Sequence, residues 1–273
     1  MPRTLKVAIS QLAPALGEVA ANAARIADAT RSLRAVHGPL DLVVFPELAL
    51  SGYDVKSQAW SLSGEAAQAL PTLQQAARDA SAYLAVGVPE RDPSRQGVVY
   101  DALLLIGPDG GLHETYRKVH LWQEEQLYFA DGTEFALARL PQTTLGLGIC
   151  WDVAFPEWGR ANALFGAEVL LVSSAWDAPS ISYWDALLAA RAIENGCFVV
   201  ACNRGGSEGS AVFGGHSRIL SPSGAPIALL DSNAEGALFA ELDLDQVGAV
   251  RFSDLTGLRD RKPAVYAHPP AEI

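Results

Sequence analysis

The stretch LGLGICWDVAFPE, residues 145–157, decides how this chain is read. Leu145, Leu147 and Ile149 alternate with Gly146 and Gly148, the period of a strand with one buried face. The apolar run stops at Cys150. Phe155-Pro156-Glu157 then places a proline and an acid where the first turn of a helix accepts them. Strand, cysteine, sharp turn and helix start together lift one side chain out of a sheet toward a cleft. A cysteine so placed reads either as a reactive thiol or as a small core hydrophobe, and the rest of the chain decides between them.

Downstream, the pattern predicts a helix over 156–166, a strand over 169–173, a helix over 183–195 and a strand over 198–201. Strands over 216–220 and 226–230 follow, joined by the turn Ser221-Pro222-Ser223-Gly224. The upstream half repeats this order. Strands are expected over 6–9, 42–45 and 83–88, with helices over 17–36 and 71–81 between them. Strands over 98–106 and 112–118 flank Gly107-Pro108-Asp109-Gly110. Each half reads β-α-β-α-β-β-β. The fold class implied is α/β, a four-layer α-β-β-α sandwich built from two similar half-units. Residues 1–251 are expected to form a single domain. Residues 252–273 form a tail without a core pattern, suited to contacts in an oligomer.

Composition limits the function. The chain has 273 residues, 49% of them hydrophobic and 19% charged, with a net charge of -11. That balance supports a large core and argues against nucleic acid or an anionic membrane surface as partner. No apolar run approaches the ~18 residues that span a bilayer, and no signal-peptide pattern opens the chain. Three cysteines, Cys150, Cys197 and Cys202, suit no disulfide framework, so a cytoplasmic, reducing setting is expected.

Strand ends carry the reactive side chains. Glu47 follows the strand at 42–45, Lys118 closes the strand at 112–118 and Cys150 ends the strand at 144–149. A nucleophilic thiol needs a base or a cation beside it, and a sandwich brings such strand ends together. Gly205-Gly206-Ser207-Glu208-Gly209 matches the G-x-S-x-G nucleophile elbow, but strand-like residues and paired glycines follow it instead of a helix. A loop at the cleft rim is the better reading. Cys197 and Cys202 cannot jointly hold a metal, and no paired His or Cys motif occurs, so neither metal nor cofactor is expected.

PELALSGY (46–53), YRKVHLW (116–122) and CWDVAFPEWGR (150–160) resemble the three motif regions of the nitrilase superfamily, the carbon–nitrogen hydrolases. The resemblance runs from the first strand to DLTGLRDRKP at 254–263. It implies Glu47 as general base, Lys118 as the oxyanion-stabilising lysine and Cys150 as nucleophile. A second family glutamate falls in WQEEQLYF, where Glu124 and Glu125 both occur and alignment favours Glu125. The mechanism it implies makes the backbone N–H of Trp151 a further oxyanion donor, while Trp176 and Tyr53 are candidates to line the substrate pocket. By the same resemblance Asp152 stands where nitrilases tend to carry glutamate, which implies a small linear amide as substrate in preference to a nitrile. N-carbamoyl amines are the close alternative, since CWDVAFPE is similar to the N-carbamoylputrescine amidase pattern. Family members assemble as dimers or larger multiples, so a homo-oligomer is expected.

Overall fold

The computed structural model describes residues 3–254 and 257–266. Its first half runs β1 (Thr4–Gln11), α1 (Val19–His37), β2 (Leu42–Val44), α2 (Ala59–Ala80), β3 (Tyr83–Arg91), β4 (Val99–Ile106) and β5 (Leu112–Arg117). The second runs β6 (Leu137–Arg139), β7 (Thr144–Ile149), α3 (Pro156–Leu164), β8 (Val169–Ser174), α4 (Ile181–Asn195) and β9 (Phe198–Asn203). A small hairpin follows, β10 (Ser207–Glu208) and β11 (Ala211–Val212). Next come β12 (Arg218–Leu220), β13 (Pro226–Leu229), β14 (Gly236–Asp243), α5 (Asp245–Arg251) and α6 (Pro263–Tyr266).

Two six-stranded sheets result, ordered β14-β1-β2-β3-β4-β5 and β13-β12-β9-β8-β7-β6. In each, three parallel strands (β1, β2, β3; β7, β8, β9) continue into two antiparallel ones. Alternation sorts the side chains. Val7, Ile9, Leu42, Val44 and Ala85 face the second sheet, whereas Ala8, Val43, Phe45, Leu84 and Val86 face α1 and α2. Direct bonds also join the sheets: the Ser173 hydroxyl donates to the Phe45 carbonyl at 2.8 Å. The α-β-β-α sandwich is thus the observed architecture.

The structure departs from the sequence reading at one helix and in the elements it adds. The helix expected over 71–81 begins at Ala59 and carries Pro71 in its interior. Proline there costs about 3 kcal/mol, but Leu62, Ala66, Leu73, Ala76, Ala77 and Ala80 are buried along the same helix. Two buried leucines alone contribute about 3–6 kcal/mol, enough to offset it. The strands β6 and β14, which the sequence reading leaves unassigned, pair antiparallel with β7 and β1, completing equivalent edges of the two sheets. Of the tail, residues 255–256 and 267–273 lie outside the described residues.

Candidate active site

The ends of β2, β5 and β7 converge between the sheets. Glu47 follows β2 and is 1% exposed. Leu48 beside it turns the chain at φ 47°. Gly87 on β3 lets this loop lie close: a Cβ there would sit 2.4 Å from the Leu48 nitrogen and 2.6 Å from the Glu47 Cα. Lys118 comes directly after β5, its side chain wholly buried. Its backbone N–H donates to the Asp101 carbonyl at 2.9 Å.

The ammonium of Lys118 is the hub. Its Nζ lies 2.5 Å from Oε1 of Glu47 and 2.8 Å from Oε1 of Glu125, with Asp101 Oδ2 at 3.5 Å. Glu125 sits in the short 3-10 turn Gln123–Leu127. Its Oε1 also accepts from the Tyr53 hydroxyl at 2.6 Å, and its Oε2 from the Trp122 N–H at 2.8 Å. Glu124 is exposed, so Glu125 is the glutamate that reaches the lysine. Glu47, Asp101 and Glu125 offer oxygens within 4.8 Å of one another, a spacing that a metal ion would accept. Lys118 pairs with all three, so the chain supplies its own cation there.

Cys150 starts the 3-10 turn Cys150–Ala154 with φ 44°, a left-handed backbone that costs a non-glycine residue about 1–3 kcal/mol. Asp152 holds that turn. Its Oδ2 accepts from the Ile149 N–H at 2.9 Å and the Tyr116 hydroxyl at 2.8 Å. Its Oδ1 accepts from the His120 N–H at 3.1 Å and lies 2.7 Å from His120 Nδ1. Asp152 is fully buried and committed to these partners, so it acts on the cysteine turn and the Lys118 loop. Gly148 leaves room for Trp158, whose ring would lie 2.3 Å from a Cβ at that position. Trp151 is the second residue of the turn, where backbone N–H groups lack intrahelical acceptors.

Charge and burial set the protonation states. Burial pushes the Cys150 thiol well above its ordinary range and the charge of Glu47 adds to this, while Lys118 pulls it back. Burial alone would weaken the Lys118 ammonium, but the charges of Glu125 and Glu47 outweigh it and hold the proton firmly. Burial, with the Glu125 charge, likewise keeps the Tyr53 phenol protonated.

The other residues singled out from sequence fall around this centre. Trp176 lies between Trp151 and Trp184, with ring centroids 5.5 and 5.6 Å away. Ser207 is exposed on the β10–β11 hairpin, which leads into no helix. That hairpin matters through Glu208: its carboxylate accepts from the Tyr53 and Asp54 N–H groups and pairs with buried Arg204 at 2.8 Å. Cys197 and Cys202 are free and buried, bonding to the carbonyls of Ala167 and Ser10. Sequence reading missed Asp101 and Glu208. Asp101 left a signal, an acid inside the apolar run of β4. Glu208 left none beyond a motif that belongs to another enzyme class.

A sandwich of two β-α-β-α-β units that gathers a buried lysine, two carboxylates and a strained cysteine in one place is the build of a thiol-bearing hydrolase. The family model for carbon–nitrogen hydrolase matches residues 6–252, and the chain belongs to that family. It is an enzyme acting on carbon–nitrogen bonds of amides. It is 37% identical over 216 residues to the 2-oxoglutaramate amidase of Bacillus subtilis, covering 78% of this chain and 82% of that one. It is 34% identical to a probable nitrilase of Schizosaccharomyces pombe, across 95% of this chain and 96% of that one. Among solved structures it matches a glutamate-to-glutamine mutant of the amidase from Nesterenkonia sp.. That match has a TM-score of 0.84 and 28% identity, covering 96% of this chain and 95% of the other. The amidase carries the acetamide moiety of fluoroacetamide covalently on its active-site cysteine. Among the described residues, no helix is long and apolar enough to cross a membrane.

Proposed function

We propose that the chain hydrolyses a small linear amide through a thioester on Cys150. The observation that carries this reading is the buried Lys118 ammonium bonded to both Glu47 and Glu125, beside a cysteine in a left-handed turn. The resting thiol is protonated, so attack needs a base at that moment. Glu47 takes the proton as Sγ bonds to the amide carbon. Lys118 and the Trp151 N–H stabilise the oxyanion, usually the largest single contribution to such a reaction. Collapse breaks the C–N bond, and Glu47 gives its proton to the departing amine. Water then attacks the thioester with Glu47 again as base, releasing the acid. Glu125, fixed by Tyr53 and Trp122, keeps Lys118 aimed at the oxyanion.

Trp151, Trp176 and Tyr53 shape the pocket in this reading, and residues 1–251 act as one hydrolase unit in the cytoplasm. A homodimer or higher homo-oligomer is supported by Leu164, Phe165, Ile193 and Phe252, large apolar residues left exposed on or near the helices of the second half. The test is ammonia release from short aliphatic amides by wild type and Cys150→Ala. Wild-type release with loss in the variant supports the reading; undiminished release by the variant refutes it. Matched N-carbamoyl amines separate the alternative, since only they yield carbon dioxide as well as ammonia.

A further inference from the structure

Asp101 is buried beside the reacting groups, yet the mechanism above gives it no part. It lies in the strand VYDALLLI and is fully buried. Neither of its carboxyl oxygens has a hydrogen-bond donor, and Oε2 of Glu47 has none either. The Lys118 ammonium approaches Asp101 only to 3.5 Å, longer than the ~2.7–2.9 Å of a charge-assisted hydrogen bond. Its short bonds go to Glu47 and Glu125 instead. The other groups facing the cluster do not serve Asp101. The Tyr53 hydroxyl donates to Glu125, and Cys150 presents a thiol at the end of β7. Two buried carboxyl groups with unserved oxygens a few ångströms apart are expensive as two anions. One proton between them satisfies both.

We infer that Asp101 is held as a neutral carboxylic acid whose O–H donates to the free oxygen of Glu47, making it a positioning residue for the base. This rests on the assignment of Glu47 as base. Burial first, and the charge of Glu47 second, hold the Asp101 carboxyl well above the usual carboxylate range. The arrangement leaves Glu47 and Glu125 as the anions around Lys118. It also fixes the Glu47 carboxylate from two sides, by Lys118 on Oε1 and by Asp101 on Oε2. The Asp101 proton stays on Asp101 through the cycle, while the proton from Cys150 moves to Glu47 and on to the amine.

Asp101→Asn keeps a donor toward Glu47, whereas Asp101→Ala removes it. With an aliphatic amide, the Asn variant should retain kcat/KM within about 3-fold of wild type and keep its pH profile. The Ala variant should lose roughly 10–100-fold in kcat with little change in KM. Its acid limb should move to higher pH. An Asn variant as impaired as the Ala variant would mean an ionised partner of Lys118, and an Ala variant equal to wild type would mean no role; either overturns the inference. The infrared difference spectrum between wild type and Asp101→Asn at neutral pH gives a readout free of catalysis. It should show a protonated-carboxyl C=O stretch that the variant lacks, and its absence overturns the inference even if Asp101→Ala fails to fold. If the band is present but amide hydrolysis survives Glu47→Gln, the assignment of the base fails and that of the Asp101 proton stands.

Discussion

Removing the Asp152 carboxylate should cost the protein both stability and the set of its cysteine. Asp152 ties the Cys150 turn to the strand and loop that carry Lys118, through Ile149, Tyr116 and His120. In Asp152→Ala the Ile149 N–H and the Tyr116 hydroxyl lose a charged acceptor in a buried setting. Bonds to charged groups contribute about 1.5–3 kcal/mol each, so the two together amount to about 3–6 kcal/mol. His120 is partly exposed, and water can replace what it loses. Against a total of about 5–15 kcal/mol for a folded domain, the change is large. Urea unfolding followed by tryptophan fluorescence should show the midpoint falling accordingly, with Asp152→Asn between variant and wild type because one oxygen remains. An unfolding free energy within about 0.5 kcal/mol of wild type would refute the assignment of Asp152 as the clamp of the turn.

The pH dependence of thiol chemistry separates a base-assisted cysteine from a preformed thiolate. Burial and the Glu47 charge raise the Cys150 thiol, so its neutral form prevails at neutral pH. Alkylation of the resting enzyme by iodoacetamide should therefore climb through the alkaline range, and a plateau already reached below neutrality would contradict this. Gly87→Ala should cut kcat by about 100-fold, because its Cβ would meet the Leu48 nitrogen at 2.4 Å and displace the Glu47 loop. Amidase assays with near-wild-type rates for that variant would show that the loop yields without moving the carboxylate.

How much of this was legible in the sequence depends on the kind of signal. The parallel strands β2 and β8 announce themselves because burial on both faces demands continuous apolar runs, and β7 does so by alternation with glycine. Glu47 and Cys150 were readable because each follows a buried strand, and Lys118 because it closes the strand after the 107–110 turn. Of the edge strands, β6 is too short to show a period, whereas β14 does alternate, with Leu238, Ala240 and Leu242 buried, yet the sequence reading leaves it unassigned. The start of α2 was hidden by Pro71, a local stop signal overridden by packing along the whole helix. Asp152 was read from resemblance as a mark of substrate class, while its contacts make it a fastening of the turn. Asp101 and Glu208 escaped for a deeper reason: a buried acid acquires meaning only from partners distant in the chain. Glu208 reaches Tyr53 and Asp54 across more than a hundred and fifty positions, and periodicity carries no trace of that.

The central claim is that Cys150 accepts the acyl group. Intact-protein and peptide mass spectrometry of wild type, acid-quenched during turnover of a short aliphatic amide, tests it most directly. The account predicts an added acyl mass on the peptide containing Cys150, absent from Cys150→Ala treated alike. An acyl adduct on another residue, or turnover by Cys150→Ala at the wild-type rate, would contradict it.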